Sequence, residues 1–404
     1  MTTSEITLSC HSDGNSKIPH TDVDENAQIS NFQLDSNPQV PDELNPSFKI
    51  STLFEVKQTK YGGRGCFSTQ KIQENQPVLT TNYPIGCSVV RPFRKEVCWW
   101  CFAYHDGKTL KNRIDGKLYF CSEYCMAHFT AYDPEGLLRT SLISVEDLYS
   151  KCAGEIKDED VPGRDEDLSS LIELRWSQVH EWEKKIFSLK PSKRQKFFPT
   201  VTEEDYAEIK YVITTLYSLY LDLNFSGTHN SADSDRDPEC EPVSHSQEVE
   251  LFKLLQSSEE DKVRKYPYLL VSYTNIYKFV RLACPISLLP YITTLNVRGI
   301  IGRNLTNAFG IWSHITEHDE EREFFGFGVY ASASYFNHSC YPNVKKVREG
   351  NTYKFIASRD IFPGEEMCIS YGVRESDNVI QRRDCLKEWF FTCGCSRCIS
   401  ESAD

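Results

Sequence analysis

One short segment near the C-terminus restricts the possible folds of this chain more than any other feature of its sequence. It spans 335–343 and reads Tyr-Phe-Asn-His-Ser-Cys-Tyr-Pro-Asn. Further along come 364–372, Gly-Glu-Glu-Met-Cys-Ile-Ser-Tyr-Gly, and then 393–398, Cys-Gly-Cys-Ser-Arg-Cys. A single strand tyrosine or glycine-rich turn is common, whereas Asn-His-Ser-Cys followed by Pro-Asn is hard to obtain by chance. The three segments in this order therefore indicate a specific functional site near the C-terminus.

The charge distribution limits the classes of partner. The 404 residues carry a formal net charge of −13, and residues 1–47 contain eight acidic side chains against the single Lys17. An acidic chain disfavours direct nucleic-acid binding, which depends on phosphate neutralisation. It is compatible with a basic, lysine-bearing protein as partner, although the charge can equally serve solubility alone. Because this segment is polar and shows no apolar period, we predict a disordered acidic tail over 1–47.

The sequence also leads to expectations about the compartment. No uninterrupted apolar run is long enough to cross a bilayer, and the N-terminus does not resemble a secretory signal. We expect a soluble monomer of the nucleus or cytoplasm, with no membrane contact. Without a secretory signal, the sixteen cysteines indicate metal binding rather than a disulfide framework.

The first cysteine cluster has the spacing of a zinc module. Cys98-x-x-Cys101 is followed by Cys121-x-x-x-Cys125, which approximates zinc-ribbon spacing. We predict one zinc ion on these four thiolates. His105 and His128 are alternative ligands, although a lone histidine is more often a surface or core residue.

The second cluster is incomplete where it stands. Cys393, Cys395 and Cys398 supply three thiolates, whereas a structural zinc ion takes four tetrahedral ligands. Free thiols on a frayed terminus are the alternative interpretation.

Hydrophobic patterning divides the chain into segments of different character. Short β-type runs and a glycine-rich turn occupy 48–97, the Cys-rich module spans 98–130, and strand character returns from Asn296 onward. Between them, amphipathic helical patterns predominate. The predicted units are the tail 1–47, the strand-rich part 48–97, the zinc module 98–130, a helical insert 131–290 with a mobile loop 226–246, a strand-rich core 291–372 and a terminal zinc region 373–404.

These motifs together resemble the SET-domain protein-lysine methyltransferases. The segments at 335–343, 364–372 and 393–398 are similar to the C-terminal half of a SET domain with its post-SET zinc loop, and 98–130 resembles a MYND finger. The finger is reduced, since 108–117 contains no cysteine where a full MYND finger has its middle pair. The resemblance implies an α+β fold in which a β-rich SET core is split by the zinc module and the helical insert.

The family's functional residues can be carried over to matching positions. The resemblance implies that Tyr371 is the catalytic tyrosine, that Cys340 completes the terminal zinc site, and that S-adenosylmethionine is the methyl donor. It places donor contacts on Gly63, Arg64, Gly65, Asn307, Ser334, Phe336, Asn337, His338, Tyr371, Trp389 and Phe391. In the SET-and-MYND branch the position of Trp389 is usually tyrosine, which bears on the width of the lysine channel.

Two other functions remain to be weighed. A SET fold without turnover could act as an adaptor between proteins, but Asn337, His338 and Tyr371 are all present, which favours an enzyme. A zinc-finger nucleic-acid binder would need a basic face that this acidic chain does not provide. We therefore predict transfer of a methyl group to a lysine of a histone or another protein.

Overall fold

A computed structural model describes most of the chain. The described residues are Leu34, 50–59, 63–157, 167–225, 243–257, 259–304, 306–313, 322–374, 376–389 and 391–402. Most of the predicted tail 1–47 and of the predicted loop 226–246 lies outside them. Leu34 is an exception: its side chain is buried, and its backbone N–H donates to Asn296 Oδ1 over 2.9 Å. Within the described residues, no helix combines the length and apolarity that a membrane span requires.

Twelve short strands are present in the described residues. They are β1 (Phe54–Gln58), β2 (Arg64–Ser68), β3 (Pro77–Thr80), β4 (Gly86–Val89), β5 (Asn112–Ile114), β6 (Leu118–Phe120), β7 (Ala308–Trp312), β8 (Phe324–Val329), β9 (Asn337–His338), β10 (Val344–Glu349), β11 (Thr352–Ala357) and β12 (Glu366–Ile369). They form small sheets in the orders β1-β2-β12-β9, β10-β11-β3, β4-β8-β7 and β5-β6. Each of the first three sheets pairs strands from before the helical region with strands from after it, so the N- and C-terminal parts of the chain build one core.

The helices lie mostly between these two sets of strands. They are α1 (Glu123–Tyr132), α2 (Leu137–Cys152), α3 (Leu168–Ser188), α4 (Pro191–Arg194), α5 (Glu203–Phe225), α6 (His245–Lys253), α7 (Glu259–Lys265), α8 (Leu269–Ala283), α9 (Thr294–Arg303), α10 (Val379–Leu386) and α11 (Ser396–Glu401). Within the part of the chain that the structure describes, 3₁₀ segments occur at 195–197, 286–291, 333–335 and 387–389.

Helix α5 joins the helical region to the strands. It is buried on nearly all sides and packs against β4, where Thr214 Oγ1 accepts the N–H of Cys87 over 2.9 Å. A Cβ on Gly86 would lie 1.9 Å from Thr215 Oγ1 and 2.8 Å from the Tyr211 ring. Glycine at this position therefore lets the strand approach the helix closely.

The observed architecture confirms the predicted α+β SET fold. One local prediction was wrong: strand character was expected from Asn296 onward, but 294–303 is helix α9. Its N-terminus is capped by Thr293 Oγ1, which accepts the N–H of Asn296 over 3.1 Å. Because all residues from Val297 to Ile301 are buried, including the charged Arg298, the segment shows no clear helical period and resembles a core strand.

Candidate active site and metal centres

The segment 337–343 lies beside strand β12 and is hydrogen-bonded to it at both ends. Asn337 and His338 pair in parallel with Cys368 and Ile369, and the N–H of Ser339 continues the ladder to the carbonyl of Ile369 over 3.0 Å. This pairing brings the two most informative sequence motifs into direct contact.

The side chain of Asn343 extends that ladder. Its Oδ1 accepts the N–H of Cys368 over 2.8 Å, and its Nδ2 donates to the carbonyl of Glu366 over 2.9 Å. Asn343 is almost fully buried, so both ends of its amide are satisfied by one strand. Sequence reasoning quoted this asparagine without a role, although its position after Pro342 marked the end of the motif.

Tyr371 is held at its backbone and at its hydroxyl. Its phenol donates to the carbonyl oxygen of Phe336 over 2.9 Å, and its N–H donates to Nδ1 of His338 over 3.1 Å. Burial raises the pKa of Tyr371, and the neighbouring Cys368, Cys66 and Glu366 add to the effect. The side chain is therefore a neutral hydrogen-bond donor at physiological pH.

His338 connects the tyrosine to the terminal cysteines. Because Nδ1 accepts a hydrogen bond, the ring proton belongs on Nε2, which lies 3.2 Å from Sγ of Cys340. Burial lowers the pKa of His338 to about 4, with further contributions from the cations of Lys346 and Arg382. The neutral imidazole thus donates to the sulfur of Cys340 and links Tyr371 to the terminal cysteines.

The four cysteines assigned to the second zinc site converge. Their sulfur atoms all lie within 4.8 Å of one another, with Cys340 Sγ 3.5 Å from Cys398 and 3.9 Å from Cys393. Tetrahedral zinc with Zn–S bonds of about 2.3 Å places its sulfur atoms about 3.8 Å apart. The residues fit a zinc ion, and Cys340 supplies the ligand that the local motif lacks.

The environment of this cluster favours ionisation at one of its four cysteines, Cys395, whereas burial raises the pKa of Cys340 and of Cys393. Burial is the largest influence on Cys395 and acts against ionisation, but the N–H groups of Cys398 and Cys340 lower its pKa to about 7. The guanidinium of the fully buried Arg382 donates to Cys398 Sγ over 3.5 Å and also pairs with Glu401 over 2.9 Å. Sequence reasoning missed Arg382, since no local motif distinguishes it from other helix arginines.

The first cysteine cluster also assembles as the spacing indicated. The sulfur atoms of Cys98, Cys101, Cys121 and Cys125 lie within 4.8 Å of one another, and Cys101 and Cys125 each lie 3.5 Å from Cys121. The hydrogen bond from the Cys101 thiol is the main cause that lowers the pKa of Cys98 to about 5. These four residues fit zinc without a histidine ligand.

Local structure explains how this cluster forms. The hairpin β5-β6 turns at Asp115 and Gly116, both at positive φ as a tight hairpin turn requires, and delivers Cys121 at its end. Ser122 then caps α1 by accepting the N–H of Cys125 over 3.2 Å. His128, the alternative ligand, instead stacks between Trp100 and Tyr124 at ring distances of 6.0 and 4.1 Å.

The glycine-rich turn, of which the structure describes residues 63–65, reaches the same region. Gly63 has a φ of +71°, and a Cβ on Gly65 would lie 2.7 Å from Asn337 Nδ2 and 2.6 Å from Glu366 Oε1. Asn337 Nδ2 in turn donates to that carboxylate over 2.9 Å. The Nη2 atom of Arg64 donates to the carbonyl of Leu254, which directs the guanidinium toward that carbonyl.

The remaining predicted donor contacts lie in three different settings. Asn307 and Ser334 meet directly, since Ser334 Oγ lies 3.3 Å from the carbonyl oxygen of Asn307. Trp389 and Phe391 are half-buried, with ring centres 5.8 and 6.2 Å from that of Tyr371. Phe336 differs, because its ring is buried in the core and stacks on Phe355 at 4.9 Å.

These features together define a SET-domain protein, and the comparisons with known proteins agree. Residues 63–372 match the family model described as SET domain, so the chain belongs to the SET-domain family. A protein of Saccharomyces cerevisiae named "Potential protein lysine methyltransferase SET6" is 32% identical over 87% of this chain and 96% of its own length. The chain also resembles a "SET and MYND domain-containing protein" of Dictyostelium discoideum, with 42% identity over 26% of each chain. The "N-lysine methyltransferase SMYD2" of Bos taurus is 34% identical over 22% of this chain and 21% of its own length. The SET domain and these names support protein-lysine methyltransferase activity.

Proposed function

We propose that this protein transfers a methyl group from S-adenosylmethionine to a lysine side chain of a histone or another protein. The observation that carries the proposal is the setting of Tyr371. Its neutral phenol donates to the carbonyl of Phe336 inside the paired motifs, with Trp389 and Phe391 beside it. When bound, the donor supplies an electrophilic methyl group on a positively charged sulfur.

The chemistry of the surrounding groups suits such a donor. Aromatic faces and carbonyl oxygens stabilise a sulfonium cation, and the neutral His338 adds no opposing positive charge. We assign the donor contacts to the backbone at 63–65, 307, 334 and 336–338, to the side chains of Ser334 and Asn337, and to Tyr371, Trp389 and Phe391. For Phe336 and His338 only backbone contacts are proposed, since their side chains are engaged elsewhere.

Tyr371 acts by orientation in this proposal. Because its phenol stays protonated, it cannot serve as a base, and the substrate amine has to arrive neutral after losing its proton to water. The lysine nitrogen forms the new N–C bond while the S–C bond breaks, and the sulfur keeps the bonding electron pair. Holding these atoms in line, away from water, is the main contribution that a protein makes to such a displacement.

The two thiolate clusters serve as structural zinc sites in this proposal. The terminal zinc would fasten 391–398 to Cys340 and thereby keep Phe391 against His338 and Tyr371. The first zinc would stabilise the module at 98–125. Because such thiolates need reducing conditions, we propose that the protein acts in the nucleus or the cytoplasm. We also propose that it acts as a monomer.

The direct test is turnover with methyl-labelled S-adenosylmethionine on histones and other lysine-rich proteins, read by mass spectrometry of the products. We expect methyl-lysine with the parent protein and a loss of about 10²–10³-fold with Tyr371→Phe. Tyr124→Phe is a matched control, since Tyr124 is an exposed tyrosine on the zinc module. Equal turnover by Tyr371→Phe and the parent would remove the tyrosine from the mechanism. Donor binding without turnover on any substrate would favour the adaptor.

A further inference from the structure

The C-terminal turn of helix α6 accepts side-chain hydrogen bonds from three segments that are far apart in sequence. The last carbonyls of a helix have no partner within it, so they are available to outside donors. The donors are Tyr335 Oη to Leu251 O at 3.2 Å, Arg303 Nη2 to Lys253 O at 2.9 Å, and Arg64 Nη2 to Leu254 O. Each donor is linked to the residues assigned to donor binding above. Tyr335 precedes Phe336, Arg64 belongs to the assigned segment 63–65, and Arg303 accepts a hydrogen bond from Asn307 through its carbonyl.

Arg303 connects α6 to Asn307. Its side chain is fully buried, its guanidinium lies 5.8 Å from the ring centre of Phe252, and Nη1 donates to the carbonyl of Gly299 over 2.8 Å. The carbonyl of Arg303 accepts Nδ2 of Asn307 over 2.9 Å. Arg303 therefore contacts both α6 and the residue that precedes β7, from its position at the end of α9.

Glu248, in the first turn of α6, fixes the segment before the Asn-His motif. Its carboxylate is buried and accepts both the N–H of Ser332, over 2.9 Å, and the Ser332 hydroxyl. Two residues later, Ser334 contacts the carbonyl of Asn307. Helix α6 therefore contacts Ser332 through Glu248 and contacts Arg303 through Lys253. Those two segments contact each other where Ser334 meets Asn307.

Arg64 adds the glycine-rich turn to the same arrangement. Its guanidinium lies 5.0 Å from the ring centre of Tyr335 while it donates to Leu254. Gly65, the next residue, is the position at which a side chain would collide with Asn337.

We propose that α6 is the positioning element of the methyl-donor site, and that Glu248 and Arg303 are its positioning residues. Neither side chain touches the reacting atoms. Their role is to set the spacing between the glycine-rich turn, Asn307 and the segment 334–337. Displacements of about 1 Å in such a site can cost about 10²-fold in rate. This inference rests on the proposed function.

The test measures binding of S-adenosylhomocysteine, the product that remains when the donor has lost its methyl group, by calorimetry on zinc-loaded protein. Arg303→Lys should weaken binding by about tenfold or more, because lysine cannot reach two carbonyls in the same geometry. Arg298→Lys is the matched control: Arg298 lies on the same helix and is also buried, but it pairs with Glu259 and Glu173. It should lower thermal stability and leave the dissociation constant unchanged.

Glu248 provides an independent variant should Arg303→Lys fold poorly. Glu248→Ala should weaken binding and speed hydrogen exchange at 63–66 and 306–309, whereas Glu248→Gln should restore most of both, because its carbonyl oxygen still accepts from Ser332. In turnover assays the Michaelis constant for the donor should rise, and that for the protein substrate should not.

Unchanged affinity in both Arg303→Lys and Glu248→Ala would overturn the inference, as would an equal loss in Arg298→Lys. Absence of binding in the parent protein would instead refute the proposed function itself, so the two failures are distinguishable.

Discussion

The phenol of Tyr371 donates a 2.9 Å hydrogen bond to the carbonyl oxygen of Phe336, which joins the end of β12 to the residue before β9. Strands β9 and β12 are also paired with each other. Tyr371 is therefore held between the strand that precedes it, β12, and the segment that its hydroxyl contacts, just before β9. Its hydroxyl hydrogen is used by a neutral acceptor, which agrees with a phenol that stays protonated.

The pH dependence of turnover should reflect the substrate amine rather than Tyr371. Because the folded-state pKa of Tyr371 is raised above its ordinary value, the phenol remains protonated through the alkaline range in which a lysine amine, with a pKa of about 10.4, loses its proton. We expect kcat/KM to rise with pH up to about 9.5. A fall above about pH 9 that is present in the parent and absent in Tyr371→Phe would contradict this.

Metal analysis should find two zinc ions per chain. Cys121→Ser and Cys395→Ser should each reduce the content to one, because each removes a thiolate from a different cluster. Cys385→Ser is the control, since Cys385 is exposed and belongs to neither cluster. Mass spectrometry under non-denaturing conditions would count the ions directly. A metal-free protein that is correctly folded would refute both sites.

The two phenylalanines among the expected donor contacts should behave in opposite ways. Phe336→Ala removes a fully buried ring packed on Phe355 and Phe54, so it should lower the free energy of unfolding by about 3–5 kcal/mol. Phe391→Ala removes a half-buried ring and should cost about 1 kcal/mol, with a larger effect on donor affinity. Denaturant unfolding with zinc present, combined with calorimetry, measures both quantities, and the reverse order would contradict the assignment.

The width of the lysine channel should depend on Trp389. Its ring centre lies 5.8 Å from that of Tyr371, so Trp389→Phe should enlarge the space beside the amine and raise the fraction of di- and trimethylated product. Trp312→Phe, at an exposed tryptophan on β7, is the matched control. Intact-mass analysis of the product gives the distribution, and an unchanged distribution would show that Trp389 does not line the channel.

Much of this site could be predicted from sequence because most of its functional residues lie in short local motifs. The eight cysteines predicted to bind zinc lie in two groups of four, the segment 337–338 pairs with 368–369, and strands occur in the predicted strand-rich parts 48–97 and 291–372. Spacing was informative there because thiolates of one zinc ion have to meet within a few ångströms.

The parts that could not be predicted depend on contacts between distant segments. Helix α9 was mistaken for a strand because an element buried on all sides lacks amphipathic periodicity. Phe336 was expected to line the site, but adjacent residues of an extended segment point in opposite directions, and its ring lies in the core. Glu248 and Arg303 escaped notice because their partners are backbone groups and one serine hydroxyl in distant segments, which leave no signature in the sequence.

The most direct test of the account is calorimetric titration of the zinc-loaded protein with S-adenosylhomocysteine, compared with Cys395→Ser and Cys385→Ser. The account predicts one molecule bound per chain, affinity at least about tenfold weaker in Cys395→Ser because Trp389 and Phe391 are no longer held beside Tyr371, and no change in Cys385→Ser. No binding to the parent, or equal affinity in all three proteins, would contradict a donor site closed by the terminal thiolate cluster.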